Sequence, residues 1–320
     1  MMRRTLFRSL LCAALAGAAT AAAAHEPPSK PSSKNRLDHR FGVIGHSFAN
    51  GGGETVLERS LGKTADPALA FVVATGLKSS KEPCSDTLYE RRRDMFDDAR
   101  RPVVLMPAAS DWAECRNGAG RLVSIERLNR LRELLYPEQS SLGARQLELA
   151  RQSANAKFRS YAENAYWVVG NVLYATINLP SNNNHYRSEA GRNSEYEDRA
   201  VANRFWLKRL FGQARRNRYA GVVLFSEGDV KILSEEPGLL ARLGRGPGPQ
   251  DGFASLRRQV VQLAGKYPGK VLLIDTAPVG NGNEPAFAWK GNLGHVSIGS
   301  RAVHVVVKPK SKPLFTLEQP

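Results

Sequence analysis

A succession of short apolar runs limits this chain most strongly: "FGVIG" (41–45), "ALAFVVATG" (68–76), "PVVLMP" (102–107), "YWVVGNVLYATINLP" (166–180), "GVVLFS" (221–226), "KVLLID" (270–275), then "HVSIGS" and "AVHVVVKP". Strands half exposed to water alternate apolar with polar residues. Runs this continuous in valine, isoleucine and leucine predict strands buried on both faces. Gly170-Asn171 divides the longest run into two β-rich halves and predicts a hairpin.

Between the runs the apolar period lengthens to that of a helix. One helix is predicted from Ser85 or Asp86, one from Ser124 as N-cap, and one over 142–163. A fourth opens with Ser194 and Glu197 in capping-box spacing and buries Tyr196, Ala200, Leu207, Leu210, Phe211 and Ala214. Asn203 falls on that apolar stripe, where its amide needs a partner. A fifth begins near Gly252. Strands alternating with helices define an α/β fold.

The amino terminus reads as a leader. Arg3, Arg4 and Arg8 precede an alanine-rich apolar run with small residues suited to cleavage near Ala24, which predicts a secreted or periplasmic protein. Residues 1–24 are thus assigned to a signal peptide and 25–40 to a flexible linker. One domain is assigned to 41–310 and a tail to 311–320. After cleavage no run is long enough to span a bilayer. The remaining cysteines, Cys84 and Cys115, form an even pair in an oxidising compartment and predict a disulfide. The formal charge of +16 is scattered over runs such as "ERRRD" and "QARRNR". It favours an anionic or phosphorylated partner, and no nucleic-acid-binding motif accompanies it.

The stretch "GHSFANGGGE" (45–54) raises a chemical question. A nucleophile elbow places a serine between a strand and an immediate helix. Here Ala49 replaces the second glycine around Ser47, and three glycines make a poor helix start, which argues against a serine hydrolase. His46 lacks companions at diagnostic metal-ligand spacing.

Longer anchors decide the fold expectation. "EPCSDTLYERRRDMF" (82–96), "DWAEC" (111–115), "LPSNNN" (179–184), "NSEYEDRAVANRFWLKRLFGQA" (193–214) and "DGFASLRRQV" (251–260) occur in this order. The chain resembles the calcineurin-like metallophosphoesterases, above all a secreted or envelope bacterial subgroup. The resemblance implies a four-layer sandwich of two mixed β-sheets flanked by helices. It also implies a cleft at the strand ends where two metals activate water against a phosphate ester.

At the positions where the family carries its ligands, this chain reads differently. His46 stands for the first aspartate and Leu77 follows Gly76. Ala109, Ser110 and Asp111 occupy the third motif, with Asp275, Ala277 and Val279 in the last. His46, Ser110 and Asp111 are the candidate catalytic groups. His46, Asn182, Asn183, Asn184, Glu227 and Asp275 are the candidate ligand-binding groups. His46, Asp111, Asp229 and Asp275 are the remaining candidates for a metal. The expectation is a homologue with impaired chemistry that binds an anionic ligand and needs no cofactor. An active hydrolase would need a rebuilt site for manganese, iron or zinc.

Overall fold

A computed structural model describes residues 37–187, 193–234, 250–280 and 283–320. The leader, and residues 25–36 of the linker, lie outside the described residues. The first sheet contains β1 (His39–Ile44), β2 (Leu69–Thr75), β3 (Val103–Met106), β11 (Ala302–Val307) and β12 (Phe315–Glu318), in the order β12-β11-β1-β2-β3. The second contains β4 (Ala150–Arg151), β5 (Ala165–Val169), β6 (Val172–Thr176), β7 (Gly221–Phe225), β8 (Lys270–Asp275), β9 (Ala288–Lys290) and β10 (Leu293–Ser297), in the order β4-β5-β6-β7-β8-β10-β9. Strands β1, β2 and β3 run parallel, with β11 antiparallel beside β1; β6, β7, β8 and β10 also run parallel, with β5 and β9 antiparallel at their two sides. The protein is α/β with two mixed sheets.

The period of two along each strand sorts side chains to opposite faces. Phe41, Val43, Phe71 and Val73 share one buried cluster with Trp167, Tyr174, Val223, Phe225, Leu272 and Ile274, so the two sheets bury their faces against each other. Phe71 stacks on Phe41 at 5.2 Å and meets Tyr174 edge-on at 4.8 Å. Val72, Ala74 and Leu105 face the other way, onto α1 (Glu54–Lys63), α2 (Asp86–Asp97) and α4 (Ser124–Leu135). Leu224 and Leu273 likewise pack against α5 (Ser194–Arg216) and α6 (Ala254–Gly265). Both faces of each central strand are covered, which is why the sequence shows near-continuous apolar runs there.

The predicted hairpin is present: β5 and β6 pair antiparallel around Gly170, whose φ of +58° suits a residue without a side chain. Ser85 caps α2 by accepting from the Leu88 amide. Asn203 finds its partners, accepting from Asn164 Nδ2 at 2.9 Å and donating to the Asn178 carbonyl at 3.0 Å. Cys84 and Cys115 are bonded, with Cα atoms 5.9 Å apart.

Other expectations need correction. Residues 142–163 form no long helix. Arg151 instead donates to the carbonyls of Glu138, Ser140 and Ala162, while β4 pairs with β5. Three satisfied carbonyls around one buried guanidinium outweigh the helix propensity of this alanine- and leucine-rich segment. Ser124 is the first helical residue of α4 rather than its cap, and its hydroxyl donates to the Ala113 carbonyl. At α5 the residue before the helix is Asn193, without a side-chain capping bond.

A helix does follow the glycines: α1 starts at Glu54 with Gly53 in extended backbone as its N-cap. The segment set apart as a tail supplies β12, with Phe315 buried in the shared core. The linker boundary also moves, since His39 and Arg40 belong to β1, and Arg40 bonds Glu318 of β12 at 2.7 Å. Among the described residues no helix is long and apolar enough to cross a membrane.

Candidate functional site

The parallel strands of both sheets deliver their carboxyl ends to one cleft, the usual location of sites on such sheets. Two adjoining cavities lie there, of about 750 and 550 Å³, and His46, Ala49, Ser181 and Glu227 line both. The larger continues past Asn183, Asp229, Lys231, Asp251, Arg257 and Thr276. The smaller continues past Ser79, Lys81, Ser110, Glu114 and Asn182.

His46 leaves β1 beside Gly76 at the end of β2. A side chain on Gly76 would meet His46 Cδ2 at 2.0 Å, and its φ of +79° is in the left-handed region, so this position requires glycine. The His46 Nε2 lies 3.1 Å from Ser110 Oγ, which itself donates to the Lys78 carbonyl at 2.8 Å. Burial lowers the imidazole pKa below its ordinary value, outweighing the pull of Asp111, so His46 is neutral near pH 7. His46 and Asp275, both candidate ligand-binding groups, share no hydrogen bond. Asp275 is held elsewhere, as described below.

Asp111 lies on the short helix α3 (Ala109–Trp112) and is fully buried. Its Oδ1 accepts from the Leu77 and Lys78 amides at 3.0 and 3.1 Å, and its Oδ2 accepts from the Ala108 amide at 2.7 Å. It lines neither cavity. The carboxylate of this candidate catalytic and metal-binding residue pins the loop after β2 to the loop after β3. Burial pushes its pKa up, opposed by His46, by the Ala108 and Leu77 amides and by Lys78. Lys78 is also buried, with Nζ donating to the carbonyls of Ser79 and Ser110. Arg92 closes the same region. It donates to the Leu77 carbonyl, pairs with Glu54 and Glu82, and lies 4.1 Å from the Phe48 ring centroid.

Ser47 is buried, its hydroxyl without a hydrogen-bond partner. The serine whose hydroxyl meets the His46 imidazole is Ser110, one of the candidate catalytic groups, and not Ser47.

The three asparagines divide their work. Asn184 is buried, accepting from the Arg199 guanidinium and donating to the Gly252 carbonyl, so it fixes a loop and does not reach the cavities. Asn183 exchanges bonds with Gln250 and Gly252 while lining the larger cavity, and Asn182 accepts from the His185 amide while lining the smaller. Asn183, Asn184 and His185 have φ of 56°, 57° and 53°, a conformation asparagine tolerates better than most residues. His185 then stacks on Trp112 at 4.7 Å, joining this loop of the second sheet to α3 of the first.

Glu227, after β7, is the second joint between the sheets. It accepts from the Ala109 amide at 2.6 Å and from the Ser181 amide and hydroxyl at 3.0 Å each. Burial raises its carboxyl pKa to about 7 despite these three donors.

Asp275 ends β8 fully buried. Its Oδ2 lies 2.6 Å from His295 Nε2, and its Oδ1 accepts from the Ala277 amide at 3.0 Å. Asp229 Oδ1 lies 3.7 Å from the same imidazole nitrogen. Burial lowers the His295 pKa, but the hydrogen bond and charge of Asp275, with Asp229 behind it, more than offset this and raise it. Sequence reasoning did not place His295 here. The signal was strand parity: β10 pairs in parallel with β8, His295 opposite Leu273, so His295 and Asp275 emerge on one face.

No protein-family model and no curated protein matches this chain.

Proposed function

We propose that this chain is an exported, divergent member of the metallophosphoesterase-type sandwiches that binds a phosphate-bearing small molecule in the cleft without two-metal hydrolysis. The carrying observation is the state of Asp111: the acid remaining in the third motif is directed at three backbone amides. The two metals implied by the resemblance do not fit the donors present. Leu77 and Ala109 have no ligating side-chain atom, and His46 is turned to Ser110. A dinuclear centre needs ligands that fix both cations, and this half of the cleft supplies too few.

Ligand binding draws support from the larger cavity, where Lys231 and Arg257 bring positive charge and Ser181, Asn183 and Gln250 bring uncharged polar groups. The test is thermal melting of the purified protein with inorganic phosphate and phosphorylated metabolites, beside hydrolysis of an aryl phosphate with manganese, zinc or iron. A ligand at a hundredfold its Kd adds about 2.7 kcal/mol, which a melt reads readily. The expected result is a raised melting temperature with negligible turnover. Two metal equivalents retained through dialysis, with turnover abolished in His46→Ala or Asp275→Ala, would overturn this reading.

One observation favours a second reading, a hydrolase with a rebuilt site. Glu227 lines both cavities with a carboxyl pKa of about 7, which suits proton transfer near neutrality. Turnover of any phosphate ester that is lost in Glu227→Gln, in a variant that still melts cooperatively, would select it.

A further inference from the structure

The wall of the larger cavity carries acids as well as bases. Lys231 and Arg257 share it with Glu227, Asp229 and Asp251, and Arg257 is itself paired with Asp251 at 2.5 Å. Close to the partly exposed Asp229 lies a buried acid, Asp275. These two carboxylates converge on one imidazole. One ligand atom each from Asp229, Asp275 and His295 lies within 4.8 Å of the other two.

We propose that Asp229, Asp275 and His295 bind a single divalent transition-metal ion, zinc or manganese, at the rim of the larger cavity. Three features support it. The first is position. Asp275 and His295 sit on adjacent parallel strands and Asp229 on the loop after β7, so the donors stand on a rigid frame. The second is orientation. The Asp275 Oδ1 is held by the Ala277 amide and the Asp229 Oδ1 by the Lys231 amide at 2.6 Å, the outer support that metal ligands commonly have.

The third is size. Bonds of about 2.0–2.1 Å to nitrogen and oxygen in a tetrahedral site separate neighbouring donors by about 3.3 Å. The observed 2.6 and 3.7 Å from His295 Nε2 bracket that separation. A modest adjustment of two side chains admits the ion.

The donor set indicates the metal. One imidazole and two carboxylates combine borderline nitrogen with hard oxygen, which suits zinc or manganese better than calcium or magnesium. Three protein donors leave coordination open, and Asp229 lines the cavity, so a phosphate oxygen can complete the shell there. The ion would also neutralise two adjacent carboxylates that otherwise repel. This site goes beyond the phosphate-binding reading and does not depend on it, because metal binding can be measured without any phosphate present.

The experiment is calorimetric titration of zinc and of manganese into the full chain without an affinity tag, stripped with chelator and dialysed. The expected result is one saturable equivalent, weakened at least tenfold in His295→Ala and in Asp229→Asn and unchanged in His46→Ala. Asp229→Asn is isosteric and partly exposed, so it carries the test if His295→Ala fails to fold. Absence of saturable binding would overturn the proposal, as would an affinity indifferent to both substitutions.

Discussion

At the strand ends of the first sheet the buried acid is held by backbone amides, whereas at those of the second two acids converge on one imidazole, one of them at a cavity wall. Asp111 accepts from three amides, Lys78 donates to two carbonyls, and His46 meets Ser110. On the other side Asp229, Asp275 and His295 crowd together with an acid at the cavity wall. Both sets occupy the same kind of position, just beyond parallel strands. The difference teaches that a surviving acid in a motif does not report surviving chemistry. What matters is whether both of its oxygens already belong to backbone amides, as those of Asp111 do and those of Asp229 and Asp275 do not.

Substituting the anchor should produce the largest effect. Asp111→Ala leaves the buried amides of Leu77, Lys78 and Ala108 without their acceptor, and an unsatisfied buried group costs about 1–3 kcal/mol. A loss of about 3–5 kcal/mol in urea unfolding is expected after partial relaxation. Asp229→Asn, on the other side, should change stability by less than about 1 kcal/mol because its side chain is partly exposed. Equal losses in the two variants would break the contrast.

Opening the disulfide should come next. Cys84 precedes α2 and Cys115 follows α3, so the bridge braces only the first-sheet side. Cys84→Ser should lose about 2–4 kcal/mol while leaving phosphate-induced stabilisation in place. A parallel loss of the ligand response would show that the two sides are not separable.

The smallest effect concerns two histidines with opposite shifts. In metal-free protein, nuclear magnetic resonance titration should find His46 below the free-histidine value and His295 above it. The signs follow. His46, depressed in the folded state, contributes stability that is present above the unfolded value and is lost as pH falls towards its folded one. His295, raised, contributes stability that is fully present below the unfolded value and is lost as pH rises through its folded one. Two histidines titrating together would remove the distinction between their surroundings.

Much of this architecture was legible because burial on both faces leaves a plain mark. The Val/Ile/Leu runs located the central strands, and Asn203 on an apolar stripe announced a buried amide network. Helix α1 was missed because a glycine string reads as a loop. In fact Gly53 in extended backbone is a workable helix entry, and Leu57 anchors the helix by burial. The helix expected over 142–163 failed for the converse reason, local propensity overridden by the carbonyls around Arg151.

At the site, the residues themselves were visible but their partners were not. Asp111 looked like a ligand because its three amides come from the backbone, which carries no sequence signal. His295 was hidden because its relation to Asp275 depends on strand pairing, with β9 as well as β10 inserted beyond β8.

The most direct measurement is the metal content of protein purified in zinc- and manganese-supplemented buffer and then dialysed, read by mass spectrometry against protein concentration. If the first-sheet half of the cleft has lost its ligands and the second-sheet half has gathered three, one equivalent is expected. His295→Ala should abolish it and His46→Ala should retain it. Two equivalents, with one of them lost on replacing His46, would contradict the account by restoring a dinuclear centre across both sheets.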